Sequence, residues 1–331
     1  MSRTADARTI IITGGHTGLG LATSRHILTN TTNVQLVWAS RSVDVARQTA
    51  LDLAPDRITV LPLDLAKLAD VQPFVASVTT LIEAGTLPPL GAVVCNAGVQ
   101  FAGGQHQTTE GIEETFSVNH LAHFLLVNLL LPHLLPTGRV VVVSSGTHFD
   151  APRIWQSTLF GMPAPQYLGA AALARGAVPA GMDPASNKAN RFRYTTSKLC
   201  NVLFVYELNR WLRAAGSSIT VTAFDPGLMP GTGLARSNSP VERWAWNYVL
   251  PILRLFDGVN AVDTSGRNLA RLATNPAVSG VSGQYVEGTT VVPSSVLSRR
   301  PELWADLWAE SQKLIELNTM PHVPTAKPTL Q

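Results

Sequence analysis

Two stretches of this sequence bring together residues whose types and spacing could do chemistry. Thr13-Gly14-Gly15-His16-Thr17-Gly18-Leu19-Gly20 follows an apolar run and opens a helical one. That is the context a dinucleotide phosphate cradle needs. Gly14, Gly18 and Gly20 let backbone approach a pyrophosphate, and a helix N-terminus presents free N–H groups and a partial positive charge. Far along the chain, Tyr194-Thr195-Thr196-Ser197-Lys198 places a phenol and an ammonium at i and i+4, on one face of a helix. A tyrosine is a poor acid–base group at neutral pH, but a neighbouring cation favours the phenolate and brings it toward the working range. Together the two stretches suggest hydride transfer coupled to proton transfer. Taken singly, each has a plainer reading: glycines that only turn a strand into a helix, or a Tyr and a Lys exposed on a surface helix.

Two smaller features point the same way. Leu36-Val37-Trp38-Ala39-Ser40-Arg41 lacks the carboxylate that binds a ribose 2′-hydroxyl. Ser40 stands where that acid is expected, and Arg41 adds a cation suited to a 2′-phosphate, which favours NADP over NAD. Asn96-Ala97-Gly98, after an apolar run at 93–95, puts small residues where open α/β sheets bind cofactors.

The elements that must position these groups alternate along the chain. Short β-branched runs predict strands at 10–13, 34–39, 58–61, 92–95, 140–143 and 219–224. Helical patterns at 18–28, 43–53, 68–84 and 112–131 separate them. Parallel pairing needs crossovers and helices supply them, so the pattern predicts an α/β fold with a doubly wound parallel sheet. The Gly/Ala/Pro-rich stretch 161–185 reads as part of a long insertion, and loops of that length inside a domain tend to be functional. At 301–317, Leu303, Trp304, Leu307, Trp308, Leu314 and Ile315 mark an amphipathic helix that docks on the domain.

Composition sets the bounds. The 331 residues are 45% hydrophobic, enough to bury a substantial core. A net charge of +3 comes from scattered Arg and Lys, which argues against nucleic acid as a partner. Only Cys95 and Cys200 occur, without a CxxC spacing, and a reducing cytoplasm is expected. A strand-like run begins at Ile10, leaving no room for a signal peptide in the sequence as given, and no uninterrupted apolar run is long enough for a transmembrane span. His120 and His123 lack a third ligand and read as helix residues, so no metal site is expected.

Five ordered elements, TGxxxGxG at 13–20, Asn96-Ala97-Gly98, Asn119 in Ser117-Val118-Asn119-His120, Ser145 after the 140–143 strand, and the Tyr194/Lys198 pair, resemble the signature of the short-chain dehydrogenase/reductase family. The resemblance runs over about residues 9–233, and Ser282-Gly283-Gln284-Tyr285-Val286 resembles the family's last core strand. Residues 118–126 and 194–204 are similar to the branch containing retinol dehydrogenases and protochlorophyllide reductases.

This resemblance implies a Rossmann-type fold and a set of roles. Tyr194 is then the general acid, Lys198 its tuning cation and holder of the nicotinamide ribose, and Ser145 the donor to the developing oxyanion. Asn119 interrupts its helix and holds a water linking Lys198 to solvent. Gly14, His16, Thr17, Gly18, Leu19, Gly20, Ser40, Arg41, Asn96, Ala97 and Gly98 line the NADP(H) site. Asp64-Leu65 match the adenine contact and Pro226-Gly227 the loop beside the nicotinamide amide.

Residues 146–193 depart from the family pattern by entering between two catalytic positions, and read as a substrate lid or else a contact loop. The chain is expected to form one domain, 8–331, with a substrate-lid and C-terminal segment at about 228–320 and a tail at 321–331. Met229, Trp244, Trp246 and Tyr248 suit a bulky apolar substrate. The expected activity is NADPH-dependent reduction of a hydrophobic ketone or aldehyde, or oxidation of the matching alcohol. Reduction of a conjugated C=C bond and a non-catalytic NADP-binding regulator are the alternatives. The resemblance also suggests a homo-oligomer through the two long helices, a surface the insertion could block.

Overall fold

Runs such as Ile10-Ile11-Ile12 show no apolar–polar alternation because both faces of their sheet are covered. The computed structural model of the protein describes residues 6–150, 161–229 and 260–319. Its eight strands are β1 (Arg8–Thr13), β2 (Val34–Ser40), β3 (Ile58–Pro62), β4 (Leu90–Cys95), β5 (Leu134–Val143), β6 (Thr220–Asp225), β7 (Gln284–Glu287) and β8 (Thr290–Val292). They form one sheet in the order β3-β2-β1-β4-β5-β6-β7-β8. All pairings are parallel except that of β7 with β8. The order reverses between β1 and β4, which opens a crevice at the carboxyl edge of the strands, where doubly wound folds bind ligands.

Two helical layers cover the sheet. On one face lie α1 (Gly18–Asn30), α2 (Val43–Leu53) and a later helix, α8 (Val262–Thr274); they pack on Ile10, Ile12, Trp38, Val94 and Phe224. The opposite face carries α3 (Val71–Glu83), α4 (Glu114–Phe116), α5 (Ala122–Leu130), the short α6 (Ala170–Ala174), the long α7 (Asn187–Ala214) and α9 (Pro301–Thr319), over Ile11, Val93, Val140 and Val221. Alternate strand residues thus enter opposite cores, as a two-residue period requires.

The differences from the sequence reading have local causes. The 112–131 helix begins at Glu114 and is broken by a π-helical turn, Ser117–Leu121, before α5. The first turn of the 68–84 helix is a 3₁₀ turn, Leu68–Asp70. Strand β5 starts six residues earlier than expected, because Leu134 pairs with Leu90 ahead of the register shift. Of the insertion, residues 146–150 and 161–193 are described, and the stretch 161–186 is anchored to the body of the protein. Ala170, Leu173 and Ala174 are buried, Tyr167 Oη donates to Asp306 Oδ2 of α9 at 2.7 Å, and Glu113 N–H donates to the Ala174 carbonyl at 2.7 Å. Trp244, Trp246 and Tyr248 lie outside the described residues.

The C-terminal helix docks as its pattern predicts. Trp308 packs edge-on against Phe124 of α5 and stacks on Phe204 of α7. The face of the two long helices that carries those rings is therefore covered by the chain itself. Among the described residues one helix, Glu114–His133, is long and apolar enough to cross a membrane, and 83% of its most apolar 18-residue stretch is buried within the protein.

Candidate active site

The glycine turn between β1 and α1 is held by side chains from the neighbouring strand ends. Thr13 Oγ1 accepts from the Asn96 and Ala97 N–H groups at 2.9 Å each, and Asn96 Nδ2 donates to the Thr13 carbonyl at 2.8 Å. The Asn96-Ala97-Gly98 turn is thereby locked to the first glycine turn. Gly14 and Gly18 have φ of +66° and +52°, a region side-chain-bearing residues rarely adopt, and a Cβ on Gly18 would meet nothing within 4 Å. That open space at a helix start suits an anionic group.

Gly20 and Gly15 serve packing instead. A Cβ on Gly20 would lie 2.3 Å from the Gly14 carbonyl oxygen, and one on Gly15 would lie 2.2 Å from Trp38 Cδ1. Trp38 Nε1 donates to Ser24 Oγ at 2.9 Å, which fixes the indole in that position. Gly15 was not among the expected site residues; its signal was the bulky Trp38 on the adjoining strand. Gly20→Ala is expected to destabilise the fold by about 1–3 kcal/mol, since backbone must shift to admit the methyl group. Denaturant unfolding at neutral pH measures this.

Several expected cofactor contacts are narrower than their residue names suggest. Leu19 and Leu65 are 6% and 7% exposed and pack into the two cores, so their backbone is what reaches the crevice. Ser40 is 2% exposed and its Oγ accepts from Ser42 N–H at 3.1 Å, which ties it to the start of α2. Arg41 is exposed, and Asp64 Oδ1 accepts from Ala66 N–H at 3.1 Å. Burial raises the Glu114 carboxyl above its usual range; the Arg41 charge opposes that rise and Asp64 adds to it, so the three charged groups face one region. His16 and Thr17 are half-buried in the turn itself.

The second cluster sits at the ends of β5 and β6. Tyr194, Ser197 and Lys198 are buried on α7, and the half-buried Ser145 is the polar group that favours ionisation of the Tyr194 phenol. Lys198 Nζ lies 5.6 Å from the Tyr194 ring centroid and donates to the Val143 carbonyl at 3.2 Å, which also accepts from Asn201 Nδ2 at 3.1 Å. Ser144 Oγ donates to the Lys198 carbonyl at 2.8 Å, leaving Ser145 as the serine beside the phenol. Asn119 occupies the π turn, fully buried. Its Oδ1 accepts from Val99 N–H at 2.7 Å, and its Nδ2 donates to the Val99 carbonyl at 3.0 Å and to Ser197 Oγ at 2.9 Å. A Cβ on Gly98 would lie 3.2 Å from Asn119 Oδ1 and 3.6 Å from Lys198 Nζ, so the Gly98 turn is part of the same cluster.

One electrostatic expectation is corrected. Burial pushes the Tyr194 phenol above its usual range, Asp225 pushes it further, and only Ser145 opposes them. Lys198 is itself lowered to about 8 by burial. In this geometry desolvation outweighs the ammonium, which is turned toward Val143. Asp225 was not singled out in the sequence either; its place directly before Pro226-Gly227 was the available signal. Pro226 and Gly227 continue that edge: the Pro226 carbonyl accepts from Ser265 Oγ at 2.6 Å and Asn260 Nδ2 at 2.9 Å, and Gly227 has a φ of +74°.

A reversed parallel sheet whose edge joins a glycine turn to a buried Ser–Tyr–Lys cluster defines a dinucleotide-binding oxidoreductase of the Rossmann type. Residues 8–157 match the short chain dehydrogenase family model. A protochlorophyllide reductase of Avena sativa is 31% identical over 328 residues, covering 93% of this chain and 99% of that protein. A polyprenol dehydrogenase of Homo sapiens is 29% identical over 320 residues, covering 92% and 84%. Among solved structures, an angucycline C-6 ketoreductase with bound NADP shares the fold at a TM-score of 0.59 and 22% identity, covering 85% of this chain and 95% of that one. The chain belongs to the short-chain dehydrogenase/reductase family.

Proposed function

We propose that this protein uses NADPH to reduce a hydrophobic ketone or aldehyde, or NADP⁺ to oxidise the matching alcohol, with Tyr194 as general acid or base. The observation that carries this reading is the cluster in which half-buried Ser145 acts on the buried Tyr194 phenol beside Lys198, at the sheet edge that also carries the glycine turn. A bound nicotinamide would supply or accept the hydride there. The N–H groups at the start of α1 and the Gly14 and Gly18 backbone would hold its diphosphate, Asp64 and the Leu65 backbone its adenine, and Arg41 its 2′-phosphate.

The chain's own groups handle the proton. Ser145 orients the substrate oxygen, and Tyr194 donates its hydroxyl proton to that oxygen as the carbonyl carbon is reduced. Lys198 stabilises the phenolate left behind, and Asn119, fixed between Val99 and Ser197, holds the neighbouring π turn in place while the phenol is reprotonated from solvent. The relatives named for polyprenol and protochlorophyllide support an apolar substrate. The protochlorophyllide reductase, covered almost end to end, also supports a second reading, reduction of a conjugated C=C bond with Tyr194 protonating carbon. A reducing, cytoplasmic setting belongs to the same proposal, both cysteines being buried free thiols.

An NADPH-oxidation screen against aromatic and aliphatic ketones, aldehydes and enones tests the reading, and the product, alcohol or saturated ketone, separates its two forms. Oxidation of no compound in any class would count against it. Cofactor choice has its own test. Arg41→Ala is expected to weaken NADPH binding about tenfold, the size of a charge-assisted phosphate contact, and to leave NADH binding unchanged. Paired fluorescence titrations measure both.

A further inference from the structure

We propose that His123 is a positioning residue for the coenzyme site: with its proton on Nδ1, the imidazole accepts the Thr13 hydroxyl and closes a hydrogen-bonded ring that holds the 96–99 turn. This rests on NADP(H) lying along this sheet edge, whatever the substrate. The proton's place follows from counting the bonds of Thr13. Its buried hydroxyl oxygen accepts from the Asn96 and Ala97 N–H groups at 2.9 Å each, and a backbone N–H can only donate. Both lone pairs are thereby taken. The hydroxyl's own proton has two acceptors in reach, the Val94 carbonyl at 3.5 Å and His123 Nε2 at 2.9 Å, and the shorter contact is the one with hydrogen-bond length. Nε2 is therefore unprotonated.

A neutral ring then carries its proton on Nδ1, which faces the Asn119 carbonyl at 3.4 Å. Burial favours that neutral form and lowers His123 to about 4; the Asn119 contact opposes the fall and the Lys198 charge adds to it. The two residues that His123 joins grip the same turn from its two ends. Thr13 holds Asn96 and Ala97, while Asn119 holds Val99 through both its N–H, at 2.7 Å, and its carbonyl, at 3.0 Å. Between them lies Gly98, where a Cβ would come within 3.6 Å of Lys198 Nζ. The ring thus runs from the end of β1 through the turn to Asn119, and back through His123 to Thr13. It makes the glycine turn and the π turn one unit before coenzyme arrives, and pre-organisation of that kind appears as affinity. His120, three residues earlier, faces Ser311 of α9 at 3.1 Å and takes no part.

The experiment has two arms. Long-range ¹H–¹⁵N NMR of the histidine-labelled protein at pH 7, with the His123 signals assigned by their loss in His123→Gln, reads the tautomer without any ligand. Protonated Nδ1 and bare Nε2 are expected; a proton on Nε2, or on both nitrogens, overturns the proposal. Fluorescence titration with NADPH reads the consequence. His123→Leu, which removes the acceptor, is expected to weaken binding about tenfold, the size of one lost hydrogen bond in a buried network. His123→Gln places an amide oxygen where Nε2 was and is expected to restore most of that loss. In a Thr13→Val background, which already lacks the hydroxyl, His123→Leu is expected to add less than about a twofold further loss, because both changes break the same link. A tenfold loss in that background as well, or a glutamine variant as weak as the leucine one, would mean that the ring acts through packing alone and overturns the proposal. A parent protein that binds no NADPH would contradict the coenzyme reading instead, and the NMR arm would still decide the hydrogen-bonded ring.

Discussion

Replacing Tyr194 by Phe lowers turnover by about 10²–10⁴-fold, the range expected for a lost general acid, and leaves NADPH affinity essentially unchanged. Phenylalanine keeps the ring that fills the buried position on α7, so the fold persists and only the hydroxyl near Ser145 is lost. Ser145 is half-buried, so water can reach its hydroxyl. Steady-state kinetics beside a fluorescence titration separate the readings. A protein that only binds the nucleotide would show no change in either quantity.

Replacing Lys198 by Met removes the cation and is expected to cut turnover by about 10²–10³-fold while raising stability. The sign of the stability change follows from the proton balance. Burial lowers the Lys198 ammonium from its ordinary 10.5 to about 8. The unfolded chain therefore binds this proton more tightly than the folded one, and between about pH 8 and 10.5 this group makes stability rise with pH. Below that window the folded protein carries the full cost of the buried charge, which the neutral side chain avoids. The Val143 carbonyl is not orphaned by the change, because Asn201 Nδ2 still donates to it at 3.1 Å. Urea unfolding at pH 7 and pH 10 checks this: the variant should be the more stable at pH 7, by on the order of 1–3 kcal/mol, with the gap closing at pH 10. A less stable variant at pH 7 would show that the ammonium contributes more through its contacts than its burial costs. A site kept charged at a cost in stability is what a functional constraint produces.

What could be read from the sequence was what local patterning encodes. The β1–turn–α1 unit, the four-residue spacing of Tyr194 and Lys198, and the docking face of α9 all follow from residues near one another in the chain. The doubly wound sheet follows from the alternation of short apolar runs with helical patterns. What escaped depends on partners brought together by the fold. Trp38 makes Gly15 necessary from the next strand, and Tyr285 holds Asp225 across 60 positions. The depth of burial that overrides the ammonium's effect on Tyr194 is likewise a property of the assembled layers. The insertion is a mixed case: its composition marked it as unusual, but its anchoring through Tyr167, Ala170 and Leu173 rests on α9 and the far core.

The crystal structure of the protein grown with NADP⁺ tests the central claim most directly. The account predicts the diphosphate against the N-terminus of α1 at Gly18, the 2′-phosphate beside Arg41, and the reactive nicotinamide carbon on the order of 4 Å from the Tyr194 hydroxyl. A phenol turned away from the nicotinamide, or a dinucleotide bound elsewhere than this edge of the sheet, would contradict it.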